Sequence, residues 1–454
     1  MRRYLLVAAV TAAAALTGSA AAGAAAPGVR AQPGARLWVA RYDDGSGGYD
    51  AATAMAVSPD GATVFVTGDI WPAGPAGRDY GTVAYSAATG TQLWASWYSG
   101  PGSRTDIPWS VAVSPDGSMV FVTGQSTARP HSDDYATIAY DAATGRRLWL
   151  SLYHGPADAS SDASALAVSP DGTAVFVTGQ SAGRKANGDY VTLAYGAATG
   201  KRLWVRRYSG PGSGLGARSV AVSPGGGRVF VTGGDRDYMT IAYSAAAGRQ
   251  LWIRRYDHPE PPSAASGNFA AAMAVSPDGT AVYVTGSSWG GRAAGTSYAT
   301  VAYSAATGRR LWASRHDRGF AHAMAVSPDG TTVYVTGEHG YAAGYLTIAY
   351  SAATGRQIWS RRYSQGAAAS VAVSPDGTTV YVTGSIGDAG YATVAYNATT
   401  GSQLWASRYR GRASLSNACC VTASPDGTAV YVTGTSYGGR NEEDYDYVTI
   451  AYQG

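Results

Sequence analysis

Four groups of side chains in this 454-residue chain have types and spacings that could do chemistry. His322, Glu338 and His339 form a compact set of metal-capable side chains, with His316 and Asp317 just upstream. Two imidazoles and a carboxylate suit zinc or a similar transition metal. An acidic set suits calcium instead, which prefers oxygen-rich, glycine-rich loops. It comprises Asp43, Asp44 and Asp50 in one stretch, and Glu442, Glu443, Asp444 and Asp446 in another. Adjacent Cys419 and Cys420 could close a vicinal disulfide in an oxidising compartment. Trp71, Trp97, Trp109 and Trp289 carry rings able to stack on sugars or peptides.

Each group also has a plainer explanation. Six histidines in a chain of this length readily give one such grouping. Loop carboxylates are ordinarily solvated, and loop tryptophans pack on their own loops. Nothing in the sequence resembles a Ser-His-Asp nucleophile, a phosphate-cradling glycine loop or a helix-borne histidine pair. No carboxylate pair is singled out by spacing for glycoside cleavage.

The elements that must position these groups are written in a repeat. Ser-Pro-Asp-Gly begins at Ser58, Ser114, Ser169, Ser276, Ser327, Ser374 and Ser424, with an altered copy at Ser223. A tryptophan recurs in step at Trp38, Trp94, Trp149, Trp204, Trp252, Trp312, Trp359 and Trp405, about 46 to 60 residues apart. Within one unit, Ser370–Val373 reads as a short strand (a), and Pro375-Asp376-Gly377 as a turn. Thr379–Thr383 (b) is rich in β-branched and aromatic residues, and Tyr391–Tyr396 (c) and Gln403–Ser407 (d) complete four strands. The repeat position of Cys420 is filled elsewhere by Ala54, Ser110, Ala165, Ser219, Ala272, Ala323 and Ser370, so a small buried thiol is the simpler reading of that cysteine.

The register at the ends gives the architecture. The first strand, Arg36–Tyr42, is a d strand without its blade, and the last, Tyr447–Tyr452, is a c strand without its d. Pairing them completes an eighth blade and removes two unpaired edges. The expectation is an all-β, eight-bladed propeller of four-stranded blades over residues 36–454, its ring closed by the N-terminal strand pairing with the last blade. In that arrangement d is outermost, and Arg41, Arg207, Arg255, Arg315, Arg362 and Arg408 read as charges that discourage edge pairing. The a–b and c–d turns are nearly constant and share one face. The b–c and d–a loops vary and share the other, which makes the variable face the recognition surface.

Asp141-Ala142-Ala143-Thr144-Gly145-Arg146-Arg147-Leu148-Trp149, preceded by Ala139, resembles the tryptophan-docking repeat of quinoprotein (PQQ-type) propellers. Ser374–Gly384, containing Tyr381-Val382-Thr383, resembles the repeat of YVTN-type surface propellers. The resemblance implies tryptophans packed between blades, and covers a group of quinone- and calcium-binding dehydrogenases as well as cofactor-free scaffolds. Such dehydrogenases can carry an adjacent cysteine pair over the quinone. Here Cys419-Cys420 lies in blade eight, and neither the calcium-ligating positions nor the catalytic aspartate is matched, so PQQ is not expected.

Residues 1–26 have the layout of a secretory signal: Arg2 and Arg3, an apolar Leu5–Leu16, then small residues. Arg2-Arg3-Tyr4-Leu5-Leu6 partly resembles a twin-arginine signal. Residues 27–35 read as a short linker, and the mature protein is expected outside the cytoplasm without membrane insertion. A formal charge of +4, reduced by two when the leader goes, and 14% charged residues give no footprint for nucleic acid. The expected function is a secreted binding or scaffold protein that engages a protein or glycan through its variable face. The alternative is an extracellular enzyme, either a quinoprotein-like oxidoreductase or a carbohydrate-active hydrolase or lyase.

Overall fold

A computed structural model of the chain describes residues 32–454, apart from 72–76, 103, 130–131, 157–159, 183–187, 211–215, 236, 257–267, 290–294, 317, 341–343, 364–365, 388–389, 412–415 and 440–443. The expected leader, Asp317, Glu442 and Glu443 therefore lie outside the described residues. Those described form thirty-two strands, from β1 (Arg36–Tyr42) to β32 (Tyr445–Gln453), in eight antiparallel four-stranded sheets. Seven sheets take four consecutive strands. The eighth has the order β1–β32–β31–β30, with β30 at Ser416–Ala423 and β31 at Ala429–Tyr437. The first strand thus closes the ring, with Tyr42 opposite Tyr447 and Arg36 opposite Tyr452. Among the described residues no helix is long and apolar enough to cross a membrane.

The repeated phrases are turns and inter-blade fasteners. In blade 7 the Ser374 hydroxyl donates to Asp376 at 2.5 Å, Asp376 accepts from the Thr378 N–H, and Ser374 Oγ accepts from the Thr379 N–H. These bonds hold the Asp376 carboxyl below its ordinary range, the Ser374 hydroxyl contributing most. The Thr-Gly phrase meets the docking tryptophan of the preceding blade. The Trp94 N–H donates to the Ala142 carbonyl at 2.9 Å, and its ring lies on Gly145, where an added Cβ would stand 2.6 Å from the indole. Gly145 has φ +70°, so both backbone and contact demand glycine there. The same indole packs between Phe65 of its own blade and Tyr140 of the next, at 5.8 and 6.3 Å. The apolar core is accordingly a ring of layers, each shared by two neighbouring blades.

The a strands are innermost. Each abuts the a strand of the next blade, and β30 returns to β2 (Ala51–Val57). They begin earlier than the alternation predicts: β26 starts at Ala367 rather than Ser370. The reason is a β-bulge near the start of every one, which shifts the side-chain alternation by a residue. The extra residue is Thr53, Trp109, Ser164, Arg218, Ala271, His322, Ala369 and Cys419 in blades 1 to 8.

Candidate functional site

Ring closure joins two loops of the variable face. The segment after β1 is tied to the start of β32 by the Asp50 N–H to the Tyr445 carbonyl at 2.8 Å, and by the Tyr445 N–H to the Gly48 carbonyl at 3.1 Å. This brings the acidic set together. Carboxylate oxygens of Asp43, Asp44 and Asp50 lie within 4.8 Å of one another, as do those of Asp43, Asp444 and Asp446. Two sequence segments almost a chain length apart thus supply one cluster.

The two groups differ electrostatically. Asp446 accepts from Arg41 at 2.9 Å, so its group already contains a cation. Asp50 is 2% exposed and accepts backbone N–H groups from Trp71 and Asp44, both at 3.2 Å. Burial, then the charge of Asp44, pushes its carboxyl up to about 8. A divalent cation beside Asp43, Asp44 and Asp50 would offset that repulsion, and the hard oxygen donors fit calcium. Asp43 and Asp44 also cap their own loop, accepting from the Gly45 and Ser46 N–H groups, which is how such residues serve turns without metal.

An aromatic row borders the acids. Tyr49 and Tyr445 lie 5.0 Å apart, and Tyr437 continues the row 5.8 Å from Tyr445. The Arg78 guanidinium covers Tyr49 at 5.6 Å and Trp71 at 5.4 Å while pairing with Asp69 at 3.1 Å. Burial pushes Asp69 up to about 6 against the pull of Arg78. Trp71 is 40% exposed at the end of this row.

The four tryptophans do not form one platform. Trp71 and Trp289 stand in blades 1 and 5, on opposite sides of the ring, and the Trp289 backbone N–H donates to Asn268. Trp109 is the bulge residue of an inner strand. Trp97 is 59% exposed, yet its N–H donates to the Tyr42 hydroxyl of the preceding blade at 2.5 Å. Arginine makes that contact elsewhere: Arg41 to Tyr409 at 2.6 Å, Arg315 to Tyr256 at 2.9 Å and Arg408 to Tyr363 at 3.1 Å. These d-strand arginines are clasps between blades as well as edge charges.

The histidine set is not brought together. Among the described residues His322, Glu338 and His339 do not bring their donor atoms within 4.8 Å of one another. Glu338 and His339 are consecutive on one strand and so project to opposite faces. His322 is a bulge residue whose Nδ1 lies 2.9 Å from the Ala368 carbonyl of the next blade, and burial lowers its pKa. The cysteines stand as free thiols. Cys419 Sγ approaches the Thr433 carbonyl and Cys420 Sγ that of Thr53, at 3.5 and 3.4 Å, and burial pushes the Cys419 thiol up.

The repeat geometry agrees with what the chain matches. The family described as outer membrane protein assembly factor BamB, a PQQ-type repeat, matches residues 27–190, 186–300 and 297–440. The chain belongs to this BamB-type propeller family. No curated protein sequence matches it. Among solved structures the BamB-type chain is similar to Kuenenia stuttgartiensis hydrazine synthase, at 15% identity and TM-score 0.51, covering 90% of this chain and 97% of that one. It is also similar to Chaetomium thermophilum Sqt1 bound to the N-terminus of ribosomal protein L10, at 12% identity and TM-score 0.63, covering 92% and 100%. At such identities the likeness is one of fold.

Sequence reading named the bulge residues Trp109, His322 and Cys419 without seeing their common position, and it missed Arg218 and, two residues before the blade-3 bulge, Asp162. A signal was available: one residue before the uniformly small position of Cys420 and its equivalents, the side chains range from alanine to tryptophan, histidine and arginine.

Proposed function

We propose that this BamB-type chain is an exported binding protein that presents the seam between blades 8 and 1 to a partner protein. The observation that carries the reading is the coincidence, at that seam, of exposed Trp71 and its aromatic row with five aspartates. Carboxylates beside aromatic faces complement a basic, extended segment whose cations meet the part-exposed Asp43 and Asp44. Sqt1 supports the reading by analogy of fold, since it is bound to the N-terminus of another protein. Export rests on the leader-like residues 1–26.

Fluorescence anisotropy with lysine- and arginine-rich peptides tests it. Binding should weaken with salt and fall in Asp43→Asn/Asp44→Asn and in Trp71→Ala. Equal binding by all three proteins, or none by the wild type, removes the seam as the site.

A second reading is favoured by the Asp43–Asp44–Asp50 grouping: calcium held there would make the aromatic row a glycan site. A calcium-dependent rise in melting temperature, lost in Asp43→Asn/Asp44→Asn, would support it over the peptide reading. The competing enzyme readings have their own signatures. A quinone absorbance band on reconstitution, or turnover of a glycan, would replace the binding reading.

A further inference from the structure

The bulges of the inner strands place one side chain per blade around the central channel. The residues just before them are buried, as are those just after in every blade but the third, whereas Trp109, Arg218 and His322 are part-exposed. Three outer strands cover each inner strand on one side and neighbouring blades cover its faces, so the water these side chains meet is that of the channel. Two bulge side chains show the direction taken: Thr53 Oγ1 donates to the Pro108 carbonyl at 2.7 Å, and His322 reaches Ala368, each across to the next inner strand.

Blades 3 and 4 hold unused polar capacity at this level. Among the described residues Arg218 has no hydrogen-bond or ion-pair partner, although a guanidinium offers five N–H donors. Asp162 stands two residues before the bulge of blade 3, nearer the variable face. Its Oδ2 accepts from Gln180 Nε2 at 2.9 Å, while its Oδ1 is buried without a partner. Arg218 and Asp162 influence each other electrostatically but do not touch. A buried carboxylate oxygen and a guanidinium left apart in this way are costly unless something bridges them. Trp109, on the blade before Asp162, has no hydrogen bond or ring contact among the described residues.

We propose that the channel mouth along blades 2 to 4 binds a small hydroxylated carboxylate, the chemistry of a sugar acid. Arg218 pairs with the carboxylate in two-pronged fashion, Asp162 Oδ1 accepts a hydroxyl, and Trp109 lies against the carbon face. This site is distinct from the blade 8–blade 1 seam and shares no residue with it.

Titration calorimetry with galacturonate, galactose and acetate on the mature protein tests the assignment. Galacturonate should bind, with galactose and acetate at least about tenfold weaker, since each lacks one of the two contacts. Arg218→Gln should weaken galacturonate by about tenfold or more, and Asp162→Asn should narrow its advantage over acetate. Trp71→Ala at the seam should change nothing, which separates this site from the peptide-binding reading. Should Arg218→Gln fold poorly, Arg218→Lys keeps the charge but loses the fork and should weaken galacturonate too. No binding of galacturonate at millimolar concentration, or unaltered binding by a folded Arg218 variant, overturns the proposal.

Discussion

Arg41 donates to Asp446 at 2.9 Å across 405 residues of sequence, joining the first strand of the propeller to the last. The same guanidinium reaches the Tyr409 hydroxyl of blade 7 at 2.6 Å, so one side chain ties the closing strand within its blade and to its neighbour. Arg41→Ala should lower stability by about 1 kcal/mol, a modest value because the arginine is partly solvated. The loss should be smaller in acid, where protonated Asp446 no longer requires a cation. Chemical denaturation at pH 7 and pH 4 measures both.

Removing residues 32–42 deletes β1 and strips β32 of its partner. The exposed edge should pair between chains, so the truncated protein should elute as oligomers or precipitate where a chain of residues 32–454 does not. Size-exclusion chromatography coupled to light scattering reads the outcome. An equally stable, equally monodisperse truncated chain would show that closure contributes little.

The docking tryptophans separate packing from hydrogen bonding. Trp149 donates to the Ala197 carbonyl at 2.7 Å and packs on Phe121 and Tyr195 at 5.9 and 6.3 Å. Trp149→Phe should cost about 1–2 kcal/mol, from the carbonyl left unpaired and the lost volume. Trp149→Ala should cost about 3–5 kcal/mol. Urea denaturation of the two variants gives the comparison, and equal losses would contradict the division.

Trp97 occupies the clasp position taken by arginine in other blades. Trp97→Arg should therefore keep stability within about 1 kcal/mol, with the new guanidinium bonded to the Tyr42 hydroxyl. It should also leave any ligand affinity unaltered. A large loss of glycan or peptide binding in this variant would restore Trp97 to the recognition surface.

Asp50 makes stability depend on pH in a defined direction. Its folded carboxyl titrates near 8, against an ordinary 3.8, so the folded state holds the proton more tightly. Its stabilising contribution is complete below about pH 4 and is lost as pH rises toward 8. Asp50→Asn should flatten that decline. Asparagine suits the site, because Asn268 fills the equivalent position in blade 5 and accepts from the Trp289 N–H at 2.9 Å. Melting temperatures across pH 4 to 9 give the test, and an unaltered slope in the variant would count against it.

Much of the fold was legible because the repeat exposes its own geometry. The Ser-Pro-Asp-Gly turns, the Thr-Gly before six of the eight docking tryptophans, and the unmatched d and c strands at the two ends required only local steric rules and strand pairing. The acidic cluster was also legible, since ring closure alone carries residues 43–50 to 444–446. The histidine set was not. Whether His322 faces Glu338 and His339 depends on a bulge that no turn residue marks, and one inserted residue redirects every side chain beyond it.

By itself, then, the sequence determined the number of blades, the closure and the face that varies. Those properties follow from short-range preferences repeated eight times, and each copy corroborates the others. Only the tertiary structure decided which single residues come near one another: Arg218 within electrostatic reach of Asp162 on the neighbouring blade, Trp97 bonded to Tyr42 rather than to solvent alone, and Asp50 shut away from water. Such encounters depend on register and burial between blades, which are set by packing of the whole ring and leave no local periodic trace.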